Sequence, residues 1–197
     1  MNNPTPTTWI PFAPQLEETP HNYNPEFTTI NLSQIALTVC QAFENEAQNK
    51  KIKLLLEADK NIDLYIQGNH ADVALMLTQM IKNALAQTLE GYVHMRLIQN
   101  RNEILVEVDD SGIGIHPNEK IAMVEVMYRG RLCRITHVQD PKTCMVLMAN
   151  QLTSHQATIE ICIDPGKGMK RRLALPILQQ TEEEIQFAGS HELSLTG

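Results

Sequence analysis

The apolar positions change period several times along the chain, and each change marks an element. From Asn31-Leu32-Ser33 onward, Ile35, Val39, Phe43 and Ala47 recur at every fourth position, one face of a helix. Two short runs follow, Ile52 to Glu57 and then Ile62, Leu64 and Ile66; the second alternates as a half-buried strand does, and Gly68 and Asn69 punctuate its end. Val73, Leu77, Met80, Ile81, Ala84 and Leu85 then form an apolar stripe at helical spacing, predicting a second helix laid flat on a sheet. Val93, Met95 and Leu97 alternate, as do Ile104, Val106 and Val108. Polar Gln99 to Glu103 lie between the two series as the turn of an antiparallel pair. The second of these strands runs straight into Asp110-Ser111-Gly112-Ile113-Gly114.

From Pro117 to Thr143 the periodicity is poor, apart from Ala122 to Tyr128, and a long irregular stretch in a compact domain is commonly functional, so it reads as a lid. Met145, Met148, Ala149 and Leu152 mark another amphipathic helix. Strands at Ile159, Ile161 and Ile163 and at Leu173, Leu175 and Ile177 flank the turn Pro165-Gly166-Lys167-Gly168. Together these elements predict an α+β fold: a two-layer α/β sandwich with the helices packed on one face of a mixed, mostly antiparallel sheet.

Composition adds boundaries. A chain of 197 residues favours one domain with extensions. Six of the ten prolines fall in the first 25 residues, where locked φ angles discourage regular structure, so residues 1–28 read as an extended arm. Trp9, Ile10 and Phe12 could anchor that arm on the domain or on a partner. Residues 29–180 form the predicted domain and residues 181–197 a polar tail. A formal net charge of -7 argues against nucleic-acid or anionic-membrane binding, which needs a basic face. Cys40, Cys133, Cys144 and Cys162 lack metal or disulfide spacing and read as small core residues. Neither a signal peptide nor a long apolar span is evident, which predicts a cytoplasmic protein without membrane insertion.

Two positions carry candidate chemistry. Asp110 stands at a strand end, where a buried carboxylate can accept a hydrogen bond from an exocyclic amine, and Gly112 and Gly114 let backbone approach a flat ligand. A tight loop after a strand needs the same residue types. Asn83 lies within an apolar helix on the same face as Gln79, and an amide oxygen there can ligate Mg²⁺ or simply hydrogen-bond at the helix surface. The order of helix, Asn83-Ala84, strand pair and Asp110-Ser111-Gly112-Ile113-Gly114 resembles the ATPase superfamily of gyrase, heat-shock chaperones and histidine kinases. Gly68-Asn69, Met80-Ile81-Lys82-Asn83-Ala84, Pro165-Gly166-Lys167-Gly168 and Leu175-Pro176 are similar to its histidine-kinase branch over Leu32 to Ile177. That resemblance implies ATP and Mg²⁺ as cofactors, Asn83 as the metal ligand, Asp110 on the adenine amine, and Gly112 and Gly114 lining the adenine pocket. Arg129 stands where a lid arginine can reach phosphate, and it reads equally as a solvated charge.

The pattern also departs from that branch. Gln79 stands where the family usually has asparagine and its hydrolysing members glutamate, and an amide takes up no proton at neutral pH, so no catalytic base is assigned. Gln87 replaces an aromatic residue that stacks on adenine. The glycine-rich end of the lid aligns with Asp140-Pro141-Lys142-Thr143-Cys144-Met145, which has lost its glycines and keeps Lys142 as a point charge for phosphate. Ser190-His191-Glu192-Leu193 resembles the start of a phospho-acceptor motif but lies after the domain. The expected function is a stand-alone, degenerate histidine-kinase-like domain that binds Mg-ATP weakly and signals through a protein partner, a histidine-containing protein or a response regulator. The alternatives are a kinase acting in trans on a histidine or serine, and an interaction module that binds no nucleotide.

Overall fold

The computed structural model describes residues 10–12, 25–58, 64–112, 149–164 and 168–177. The described elements run β1 (Ile10–Phe12), β2 (Thr28–Asn31), α1 (Leu32–Asn49), β3 (Ile52–Glu57), β4 (Tyr65–Gly68) and α2 (His70–Gln87). They continue with β5 (Gly91–Asn100), β6 (Glu103–Asp110), α3 (Ala149–Ser154), β7 (Thr158–Asp164) and β8 (Gly168–Pro176). Six strands form one sheet in the order β1-β7-β8-β6-β5-β3, and β2 pairs with β4 apart from it. Only β3 and β5 run parallel; every other pairing in the six-stranded sheet is antiparallel. This is the mixed, mostly antiparallel sheet that the alternation predicts, and the predicted lid falls outside the described residues.

The helices begin where their caps allow. The Asn31 side chain accepts from the Gln34 N–H at 3.0 Å, and the Asn69 side chain from the Asp72 N–H at 3.1 Å, each satisfying a donor that the first helical turn leaves free. The stripe of α2 is completely buried at Val73, Leu77, Ile81, Ala84 and Leu85, against the inward series of the sheet: Val93 and Met95, Val106 and Val108, Leu173. At ~1.5–3 kcal/mol for each fully buried aliphatic side chain, this layer is the main stabilising contact of the fold. Cys40 belongs to the same core, and burial, with Glu44 nearby, pushes its thiol up to about 11.

Three details go beyond the sequence pattern. The β5–β6 turn is tighter than Gln99 to Glu103: the strands pair as far as Asn100 with Glu103, and Arg101 takes φ +43° to close the loop. Part of the proline-rich arm forms β1, an edge strand in which Pro11 stands opposite Glu160 of β7. Proline is tolerated at a sheet edge because its missing N–H need not serve a further strand. The backbone of Ile10–Phe12 thus pairs with the domain, while Trp9 lies outside the described residues. Finally, His155, after α3, accepts the Asn69 N–H at its Nε2 (3.0 Å) and contacts the Gln151 carbonyl through Nδ1 (2.8 Å), tying α3 to the start of α2. A Cβ on Gly68 would lie 3.0 Å from the His155 ring, so the residue before that junction is small.

The outer face of the sheet combines a charged row with exposed Leu55, Tyr92 and Ile98. One row across it reads Glu57, Arg96, Glu107, Arg172, Glu160, alternating in sign from β3 to β7. Glu107 pairs with both Arg96 and Arg172, which suits this row to water.

Candidate functional site

The candidate site forms where the C-terminal half of α2 passes over the end of β6 and the start of β8. Along α2, Gln79, Asn83 and Gln87 fall four residues apart and are all half-buried, a polar stripe beside the apolar one. On β6 the inward series Ile104, Val106, Val108 continues to Asp110, which is fully buried. Sheet pleating therefore directs the Asp110 carboxylate toward the helix layer rather than to water.

Every oxygen of that carboxylate is engaged. Oδ1 accepts the N–H of Gly112 at 3.0 Å and the N–H of Met169 at 3.3 Å. Oδ2 accepts Nη1 of Arg171 at 2.6 Å, and Nη2 of the same guanidinium donates to Oε1 of Gln87 at 2.6 Å. Arg171 is only 3% exposed, and it occupies an inward position of β8 between Met169 and Leu173. A buried pair of this kind is held by its hydrogen bonds, because each charge alone would pay heavily for leaving water.

The glycines fit tightly. A Cβ on Gly112 would lie 2.4 Å from the Gln87 carbonyl oxygen, and one on Gly168 would lie 1.7 Å from the Asp110 carbonyl oxygen. The chain after β6 thus presses against the end of α2, while the start of β8 presses against Asp110. Ser111 locks the same corner: its hydroxyl accepts the Tyr92 N–H at 2.9 Å.

Gly112 sits beside Asp110 and against Gln87 at the end of α2, with Asn83 one turn earlier on that helix, whereas Gly114, Arg129 and Lys142 lie outside the described residues. Asn83 offers one amide oxygen of the hard type that Mg²⁺ prefers. Among the described residues no cluster of three His, Cys, Asp or Glu could hold a metal, so an ion here would depend on Asn83 together with phosphate and water oxygens. The Asp110 carboxylate, expected from the resemblance to accept an amine, instead holds a guanidinium. Sequence reasoning singled out Gln87 as a departure but missed Arg171. The signal was available: Arg171 shares the alternation of Leu173 and Leu175, and a cation in an inward series needs a buried partner.

The chain is similar in sequence to sensor histidine kinases. It is 26% identical over 157 residues to the sensor histidine kinase YclK of Bacillus subtilis, a match covering 75% of this chain and 33% of YclK. The chain thus spans about a third of the length of that curated relative. Among solved structures, the catalytic domain of the histidine kinase ThkA superposes with a TM-score of 0.62 at 18% identity, covering 77% of this chain and 95% of ThkA's. Full-length ShkA in complex with AMPPNP superposes with a TM-score of 0.65 at 12% identity, covering 80% of this chain and 32% of that one. No family model matches.

Proposed function

We propose that this chain, similar in sequence to sensor histidine kinases and in fold to their catalytic domains, is a degenerate ATP-binding domain of that kind, binding Mg-ATP weakly and acting in the cytoplasm through a signalling partner. The partner class is a histidine-containing protein or a response regulator. The observation that carries the reading is the Asp110 carboxylate, buried at the end of β6, where the resemblance implies an adenine acceptor, and already paired with Arg171. Two sequence features agree with it: Gln79 is no proton acceptor, and the lid has lost its glycines at Asp140 to Met145. Phosphoryl transfer depends on positioning and charge stabilisation, so a γ-phosphate without its glycine wrap is poorly placed to react. Asn83 would contribute one oxygen to the Mg²⁺ that accompanies the nucleotide, and Gly112 would keep the pocket floor free of a Cβ.

Titration calorimetry with Mg-ATP and Mg-ADP tests this. We expect weak binding of both with closely similar affinities, since the phosphate wrap is missing; a strong preference for ATP would overturn the degenerate-lid reading. Incubation with γ-labelled ATP should leave the isolated chain unlabelled. Label on His191, lost in a His191→Ala variant, would refute the degenerate reading, and label on an added partner alone would establish a kinase acting in trans.

A further inference from the structure

Among the described residues, Arg171 is the only arginine or lysine buried from solvent. Its neighbours in the inward series of β8 are Met169 and Leu173, so the position belongs by pattern to an apolar side chain. What holds a guanidinium there is a pair of acceptors from two other elements, Asp110 Oδ2 at the end of β6 and Gln87 Oε1 at the end of α2, each at 2.6 Å. These elements also frame the candidate base subsite. The N–H that Arg171 delivers to Asp110 is the kind of donor an exocyclic amine would deliver, to the same carboxylate oxygen, because Oδ1 is taken by the backbone of Gly112 and Met169.

We propose that Arg171 is an internal occupant of the base subsite, so that a purine nucleotide binds only when the guanidinium withdraws and Arg171, rather than the lid alone, sets the affinity. The proposal rests on the nucleotide-binding reading above and names the residue that weakens it. It follows from competition for one acceptor: a ligand amine must replace a charge-assisted hydrogen bond that is already made, and its own bond to a carboxylate shared with a cation is weaker. It also gives Gln87 a role. The amide anchors the second nitrogen of the guanidinium, so loosening Gln87 should ease withdrawal without removing charge from the core.

The test is calorimetric binding of Mg-ATP to the full chain, to Arg171→Met and to Gln87→Leu, with circular dichroism and a thermal melt confirming that each variant is folded. We expect Arg171→Met to bind at least about 10-fold more tightly than the parent, with Gln87→Leu in between. If Arg171→Met does not fold, Gln87→Leu and Arg171→Lys carry the same comparison, since lysine keeps the charge but cannot bridge both acceptors. A folded variant that binds no more tightly than a weakly binding parent overturns the occupancy proposal and leaves the nucleotide reading standing. Absence of binding to parent and variants alike overturns the nucleotide reading, and the proposal with it. A second measurement separates occupancy from simple structural support. Methylguanidinium added to Arg171→Ala should compete with Mg-ATP; if it raises the melting temperature without weakening nucleotide binding, the guanidinium and base sites are different and the proposal fails.

Discussion

Asp110 and Arg171 depend on one another, which changes what substituting either should do. Asp110→Asn removes the carboxylate and leaves the guanidinium 3% exposed without a counter-charge. We expect a loss of ~3–5 kcal/mol in urea unfolding, the scale found when a buried pair loses one member, with a large part recovered in the Asp110→Asn/Arg171→Met double variant. Curves for Asp110→Asn that overlay the parent would show that the pair contributes nothing to stability. The neighbouring Asp109 behaves differently. Burial pushes its carboxyl above the ordinary range, while Lys170 and Arg96 pull it back only in part. A carboxyl with a raised folded-state pKa contributes stability that is full below its unfolded pKa and is lost as pH rises through the folded one. Asp109→Asn should therefore melt higher than the parent near neutrality, and its advantage should vanish as the pH falls below the carboxylate range. An advantage that grows on acidification would mean that the ion pairs outweigh the burial.

At the scale of elements, the site is built by the meeting of three ends: the last turn of α2, the last residue of β6 and the first of β8. The start of β8 is the least tolerant of these. Gly168 has φ +103°, and an added Cβ would overlap the Asp110 backbone. Gly168→Ala should cost at least ~1–3 kcal/mol from backbone strain alone, and it should displace Met169 and Arg171 from Asp110. Denaturant unfolding measures the first effect. The second would show as nucleotide affinity changing in the same direction as in Arg171→Met, if the variant folds. A fully native stability in Gly168→Ala would mean that the hairpin can shift as a body. The elements themselves were legible: α1, α2, β5, β6 and β8 fall where the spacing of apolar residues places them. The two-residue β5–β6 turn was not, because Gln99, Asn100 and Glu103 are polar whether they lie in a strand exposed to water or in a loop.

Across the whole molecule, β1 joins the sheet at its β7 edge. Deleting residues 1–12 should keep the core, since the layers of α1 and α2 on β5, β6 and β8 do not involve β1. It should bare the backbone of Ile159 to Ile161, and an unpaired strand edge promotes self-association. Light scattering should show concentration-dependent oligomers in the truncated chain and fewer in the parent; identical behaviour would mean that the arm does not protect this edge. Among the described residues no helix is long and apolar enough to cross a membrane.

The sequence by itself determined the layered α+β fold and the positions of Asn83 within α2 and of Asp110 at the end of β6. Each follows from local rules: period and the order of elements around a sheet. Tertiary structure alone decided the state of Asp110. Arg171 stands 61 positions further along the chain and Gln87 lies 23 positions before it, separations that no local pattern connects. Only the antiparallel register of β6 with β8, and the passage of α2 above them, brings the guanidinium to the carboxylate, where loss of water makes the pairing obligatory.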